Sequence, residues 1–173
     1  EDGTKPAEAN PATSPTPVRL LPVKVRGKHG LIDTKGEVVL PPEYDTVLEQ
    51  PTAGLWSVEK DGKWGFVNAQ GEMVVKPQFT AVGPFREGLA AVQQKETWGF
   101  IDKTGAFAIE PAFAKAYAFQ GSWARVAVAA EADGDAARGV RLFRFGFIDR
   151  KGEWAIKPAF AFVEAFADDR ALV

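Results

Sequence analysis

At 173 residues, 46% of them hydrophobic, the chain can bury one ordinary core and requires no second domain. Lys and Arg total 21 against 23 Asp and Glu, so no overall field draws it to phosphate backbones or to an anionic membrane. Cysteine is absent and His29 is the only histidine, which excludes disulfides, thiol catalysis, cysteine-ligated zinc and a multi-histidine metal centre. We expect no cofactor, no nucleic acid and no membrane span, because no apolar run approaches the roughly eighteen residues a spanning helix needs.

Residues 1–19 carry Pro6, Pro11, Pro15 and Pro17 among Ala, Thr, Ser and Asn, with Val18 as the only large aliphatic side chain. That is the composition of a flexible linker. An opening without Met followed by such a tether predicts an exported protein, periplasmic or held at the envelope like a lipoprotein. A trimmed N-terminus would look the same.

From residue 20 onward the chain repeats. A first β-prone run covers residues 20–25, and a glycine then recurs at Gly30, Gly65, Gly99 and Gly146, the last interval being lengthened by an insertion. Three residues after each stands Asp33, Asn68, Asp102 or Asp149, and six after each stands Gly36, Gly71, Gly105 or Gly152. The spacing Asp/Asn-x-x-Gly between two β-prone runs predicts a hairpin. Its acidic or amide side chain bonds turn amides, and its glycine is left-handed. Twelve residues after the first glycine come Pro42, Pro77, Pro111 and Pro158, expected to end the second strand by withholding a ladder donor, and two later an aromatic, Tyr44, Phe79, Phe113 or Phe160.

Phe85, Phe119 and Phe166 anchor the stretch that follows, and a third strand is predicted at Leu55–Val58, Leu89–Val92 and Trp123–Val126. Asp61-Gly62 links the first of these to the next repeat by a type I′ turn signal. The predicted fold is therefore all-β, a tandem array of four three-stranded antiparallel meanders, open and twisted, with a small β-propeller as the alternative. The repeats fall near residues 29–63, 64–97, 98–144 and 145–173 of a 20–173 domain, and each needs its neighbours to bury an apolar face.

The runs Gly62-Lys63-Trp64-Gly65-Phe66-Val67-Asn68 and Thr97-Trp98-Gly99-Phe100-Ile101-Asp102, followed by Lys76-Pro77-Gln78-Phe79 and Arg86-Glu87-Gly88-Leu89-Ala90, resemble the WG-repeat family of bacterial proteins. The resemblance covers residues 20–173. It implies an all-β repeat protein, often exported, with no catalytic residues to carry over. His29 and Phe145 replace the tryptophan in the first and last copies, as terminal repeats commonly depart from the pattern.

Candidate sites follow from where repetition fails. No Gly-x-Ser-x-Gly elbow accompanies His29, and Asp33, Asp102 and Asp149 already have turns to hold, so neither a serine triad nor a carboxylate pair is built. Asp133-Gly134-Asp135 lacks the further ligands of a calcium loop and reads as a hairpin tip. The insertion at 130–144 is expected to lengthen a hairpin, with Arg138, Arg141 and Arg144 on its returning arm as recognition residues; a tolerated, self-neutralising insertion is the competing reading. Trp56 occupies a column held elsewhere by Ala90, Ala124 and Ala171, and Trp154 one shared with Val38, Met73 and Phe107. Exposed, both rings would suit sugar stacking or a protein interface, and half-buried they are ordinary packing. The function expected is a non-catalytic protein-binding or scaffold module of the bacterial envelope with an unidentified protein partner. The alternative is a glycan or peptidoglycan binder, and a hydrolase is the remote third.

Overall fold

A computed structural model describes residues 19–48, 51–130 and 142–160, with the backbone of 166–167 and 170–171. All of its regular structure is β, in antiparallel meanders that follow one another along the chain. The first sheet comprises β1 (Leu21–Val25), β2 (Lys28–Ile32) and β3 (Val38–Tyr44), in sequential order. The second comprises β4 (Thr46–Val47), β5 (Leu55–Lys60), β6 (Lys63–Asn68) and β7 (Met73–Phe79). β8 (Ala81–Val82), β9 (Ala90–Gln94), β10 (Thr97–Ile101) and β11 (Phe107–Phe113) form the third. β12 (Lys115–Ala116), β13 (Ala124–Ala129), β14 (Phe143–Ile148) and β15 (Trp154–Phe160) form the fourth, and β16 (Phe166–Ala167) pairs with β17 (Arg170–Ala171) beyond it.

The meander across the repeat boundary is thus as predicted, with one strand more than expected in three of the sheets. After the Tyr44, Phe79 and Phe113 column the chain makes a two-residue strand, and its amides reach the outer edge of the next long strand, as in Thr46 opposite Glu59. Such short edges escape a propensity reading because two residues carry no period.

The predicted hairpin turn forms in all four repeats. Asp33 Oδ1 accepts from the amides of Lys35 and Glu37, both at 2.8 Å, and Asn68, Asp102 and Asp149 do the same work in their turns. The glycine three residues on is left-handed in each, with φ between 78° and 89°. Asp61 and Gly62 both have positive φ, as a type I′ turn requires.

The proline column behaves differently from the expectation. Pro42, Pro77, Pro111 and Pro158 lie inside β3, β7, β11 and β15 and do not end them. Each sits at a bulge: Phe66 pairs with Val75 but Trp64 pairs with Phe79, so two residues of the strand go unmatched there. The bulged backbone leans onto the central strand opposite Gly65. A methyl group on Gly65 would lie 2.4 Å from the Val75 carbonyl oxygen and 2.7 Å from the Pro77 nitrogen, and Gly30, Gly99 and Gly146 are equally tight. The recurrent glycine and the recurrent proline are therefore one device, a bulge pressed against a strand that can carry no side chain.

Alternation along these strands gives every sheet two apolar faces. Trp56, Val58 and Val67 point back to meet Leu31, Leu40 and Tyr44 of the first sheet, while Leu55, Phe66 and Phe79 point forward to meet Ala90, Val92 and Ile101 of the third. The third sheet's Ala91, Phe100 and Ile109 likewise meet Ala124, Val126 and Ile148 of the fourth. Edge-on ring pairs within repeats, Phe66 with Phe85 at 5.1 Å and Phe100 with Phe119 at 5.0 Å, close each layer. Turn glycines also serve this stacking, since a methyl on Gly71 would strike the Val39 carbonyl oxygen and one on Gly105 the Val75 side chain. Among the described residues no sheet closes on itself, and the sheets follow one another as a tandem array.

Candidate functional site

The insertion does what its alternation predicts at its base. β13 and β14 stay paired out to Ala129 opposite Phe143, and the Ala130 amide donates to the Leu142 carbonyl at 2.9 Å. Arg138 and Arg141 lie outside the described residues. Arg144 is opposite Val128, and its guanidinium donates to the Ala159 carbonyl at 3.2 Å.

Among the described residues the densest aromatic and cationic grouping lies on the fourth sheet, on the face opposite the one that meets the third. Cross-strand pairing puts Lys115, Ala127 and Phe145 in one row and Arg125 and Phe147 in the next. The Arg125 guanidinium stacks 3.9 Å from the centre of the Tyr117 ring and 5.9 Å from that of Phe145. Lys115 Nζ sits 4.4 Å over the Phe143 ring. Both contacts draw the cation to the negative face of the π system. Phe145 and Phe147 are buried, whereas Tyr117 is 39% exposed and Lys115, Arg125, Trp123 and Phe143 are half-buried, so the accessible part is a rim of rings and cations.

The repeats contain a signal for these residues that motif and insertion do not carry. Arg125 stands where the second and third sheets have Ser57 and Ala91, each opposite a phenylalanine of the central strand. Tyr117 stands where those sheets have Leu48 and Gly83, whose amides donate to the same strand position. A small column turning into Arg beside a column turning into Tyr marks the patch.

The two tryptophans fall apart from it and from each other. Trp56 is 4% exposed and fills the space between the first and second sheets, which corrects the expectation of a ring open to sugar or protein. Trp154 is 37% exposed, with its ring edge-on to Phe113 at 5.9 Å. It pairs with Ile148, four residues along β14 from Arg144 and on the opposite face to the Arg125 rim. The structure therefore joins none of Trp56, Trp154 and Arg144 into one site.

The carboxylates at fixed columns are committed to structure. The Thr104 hydroxyl and turn amides hold the Asp102 carboxyl below its ordinary range. Asp45 is lowered in the same way by the Lys28 ammonium and the Asp61 amide, where it clips the first hairpin to the second. Among the described residues no helix is long and apolar enough to cross a membrane.

Residues 30–64, 64–98, 98–128 and 145–173 each match the family model described as the WG containing repeat. The gap between the third and fourth matches holds the insertion. No curated protein and no solved structure matches the chain.

Proposed function

Because the chain belongs to the WG-repeat family, with four copies stacked into one array, we propose that it works as a non-catalytic protein-binding scaffold whose contact surface is the outer rim of the fourth sheet. The single observation that carries this reading is the pairing of Arg125 with Tyr117 and Lys115 with Phe143 at the foot of the inserted hairpin. Tyr and Arg supply large contact area with directed polar edges and dominate the energetics of protein interfaces. An insertion that lengthens one hairpin beside them adds reach without disturbing the stack.

The Pro-rich segment at residues 1–19 supports a tethered, exported setting in the bacterial envelope, with the array held off its anchor. The test compares proteins captured from envelope extract by the intact chain, by Tyr117→Ala and by a chain lacking residues 131–141. Loss of a discrete set of partners in both variants, with circular dichroism unchanged, is the expected result. Capture indifferent to both changes would sink the reading. The glycan alternative keeps one ring, Trp154, and predicts a fluorescence shift on adding cell-wall polysaccharide that Trp154→Ala abolishes.

A further inference from the structure

One flank of the array carries an apolar row. β3, β7, β11 and β15 are edge strands of their sheets, and Val38, Met73, Phe107 and Trp154 take the same place in each, opposite Ile32, Val67, Ile101 and Ile148. These edges adjoin one another from sheet to sheet. A methyl on Gly71 would strike Val39 of β3, the Phe107 ring is edge-on to Phe79 of β7 at 6.1 Å, and the Trp154 ring is edge-on to Phe113 of β11 at 5.9 Å. Such contacts fix the two rings and leave part of each in water: Trp154 is 37%, Met73 39% and Val38 62% exposed, and Phe107 is half-buried. The row therefore crosses the strands, one apolar side chain per sheet, instead of running along any one of them.

We propose that this row is a platform for an uncharged β-1,4-linked glycan chain lying across the sheets. Spacing selects that ligand first. Packed sheets stand about 10 Å apart, and so do successive positions of the row. In a β-1,4-linked chain alternate sugars present the same face, and a pair of sugars spans close to that interval, so every second sugar meets the next side chain. Shape selects it next. A globular partner needs about 800 Å² on each side, which a row one side chain wide does not give. An extended peptide would pair along an edge strand, where the bulge at Pro42, Pro77, Pro111 and Pro158 interrupts the ladder in every sheet.

Charge selects a neutral polymer. Exposed Glu72 and Glu153 adjoin Met73 and Trp154 in the chain, and exposed Lys76 and Lys157 follow three residues after them. Both signs are present along the row, and both bond hydroxyls, the carboxylates as acceptors and the ammonium groups as donors. The apolar side chains take the C–H faces of the sugars between these polar edges. This inference rests on the glycan reading of Trp154, widens it from one ring to a row through all four repeats, and is independent of what the Arg125 rim binds.

The test is calorimetric titration of the full chain with chitohexaose, an uncharged β-1,4-linked oligomer, alongside chitobiose and the α-1,4-linked maltohexaose. Valine is native to the row at position 38, so Trp154→Val and Phe107→Val are substitutions the column accommodates, and circular dichroism confirms that both fold. Chitohexaose should bind with a dissociation constant of about 0.1–1 mM, about tenfold or more below that of chitobiose, and about three- to tenfold more weakly in each valine variant. Tyr117→Ala, on the rim, should leave that affinity unchanged. Loss in Trp154→Val with none in Phe107→Val overturns the row and spares the single-ring reading. No binding at about 5 mM, or equal binding of maltohexaose, overturns the proposal. Decaproline bound in place of chitohexaose, and lost in the same two variants, assigns the row to a peptide and overturns it too.

Discussion

Replacing Gly65 by alanine tests the bulge that defines every repeat. The added methyl would sit 2.4 Å from the Val75 carbonyl oxygen, 2.7 Å from the Pro77 nitrogen and 2.9 Å from the Lys76 carbonyl carbon. All three are backbone atoms, and ordinary contact begins near 3.4 Å, so the bulge itself must retreat by about 1 Å. The proline ring fixes φ at Pro77 and removes one way of yielding. Overpacking typically costs about 1–3 kcal/mol, and a clash with backbone on three atoms belongs at the upper end. At about 2–4 °C per kcal/mol for a chain of this size, the melting temperature should fall by roughly 6–12 °C.

Two other glycines calibrate the reasoning. Gly62 has φ of 71° and nothing within 4 Å of the new methyl, so Gly62→Ala meets only left-handed strain of about 1–2 kcal/mol, partly offset in the unfolded state. Gly83 lies outside the left-handed region and its methyl would meet the Ala91 side chain and carbonyl at 3.6 Å, an ordinary contact. Gly83→Ala should therefore be neutral or stabilise by up to about 1 kcal/mol. Urea unfolding followed by tryptophan fluorescence gives all three. If Gly65→Ala is no worse than Gly62→Ala, close approach is not the reason for the glycine column.

Trp56→Ala should lower stability by about 3–5 kcal/mol in the same assay, and leave any polysaccharide response unchanged, because the ring is packing between sheets. Thr52→Val removes the hydroxyl that accepts from the Phe85 amide at 3.0 Å, a bond joining two repeats, and should cost about 1 kcal/mol. The lowered Asp102 carboxyl adds stability that is fully present above its unfolded value of 3.8 and is lost as pH falls below it. Asp102→Asn keeps the turn acceptor, as Asn68 shows, and removes the titration, so its urea midpoint should drop less between pH 6 and pH 3 than that of the parent chain. Equal drops would assign the acid sensitivity elsewhere.

The repeat and its turns were legible because they are local. Asp33-x-x-Gly36 carries its own hydrogen-bonding instructions within four residues, and so do its three counterparts. The bulge is not legible, for the opposite reason. Pro77 withholds a donor wherever it stands, and whether it ends a strand or kinks one depends on Gly65, twelve positions away, leaving room for it. Trp56 shows a third limit: its column neighbours Ala90 and Ala124 signalled that a large ring is optional there, but not that the first sheet leaves space for one. Arg125 and Tyr117 show in the sequence only as broken columns, a weaker signal than the insertion beside them.

What binds must sit at an end or an edge, because a sheet buried on both faces has no broad surface left. The two ends are chemically unlike. At the first sheet Leu21, Val23, Ile32 and Val38 keep the apolar character of the interior layers. At the fourth sheet Arg125 and Lys115 replace that character with cations laid on rings. A small side chain at the Ser57 and Ala91 column is what lets the next layer close down. The change to Arg at that one column therefore brings a different chemistry to the same place. Arg125→Ala tests that change directly: partner capture from envelope extract should fall while the circular dichroism of the chain stays unchanged.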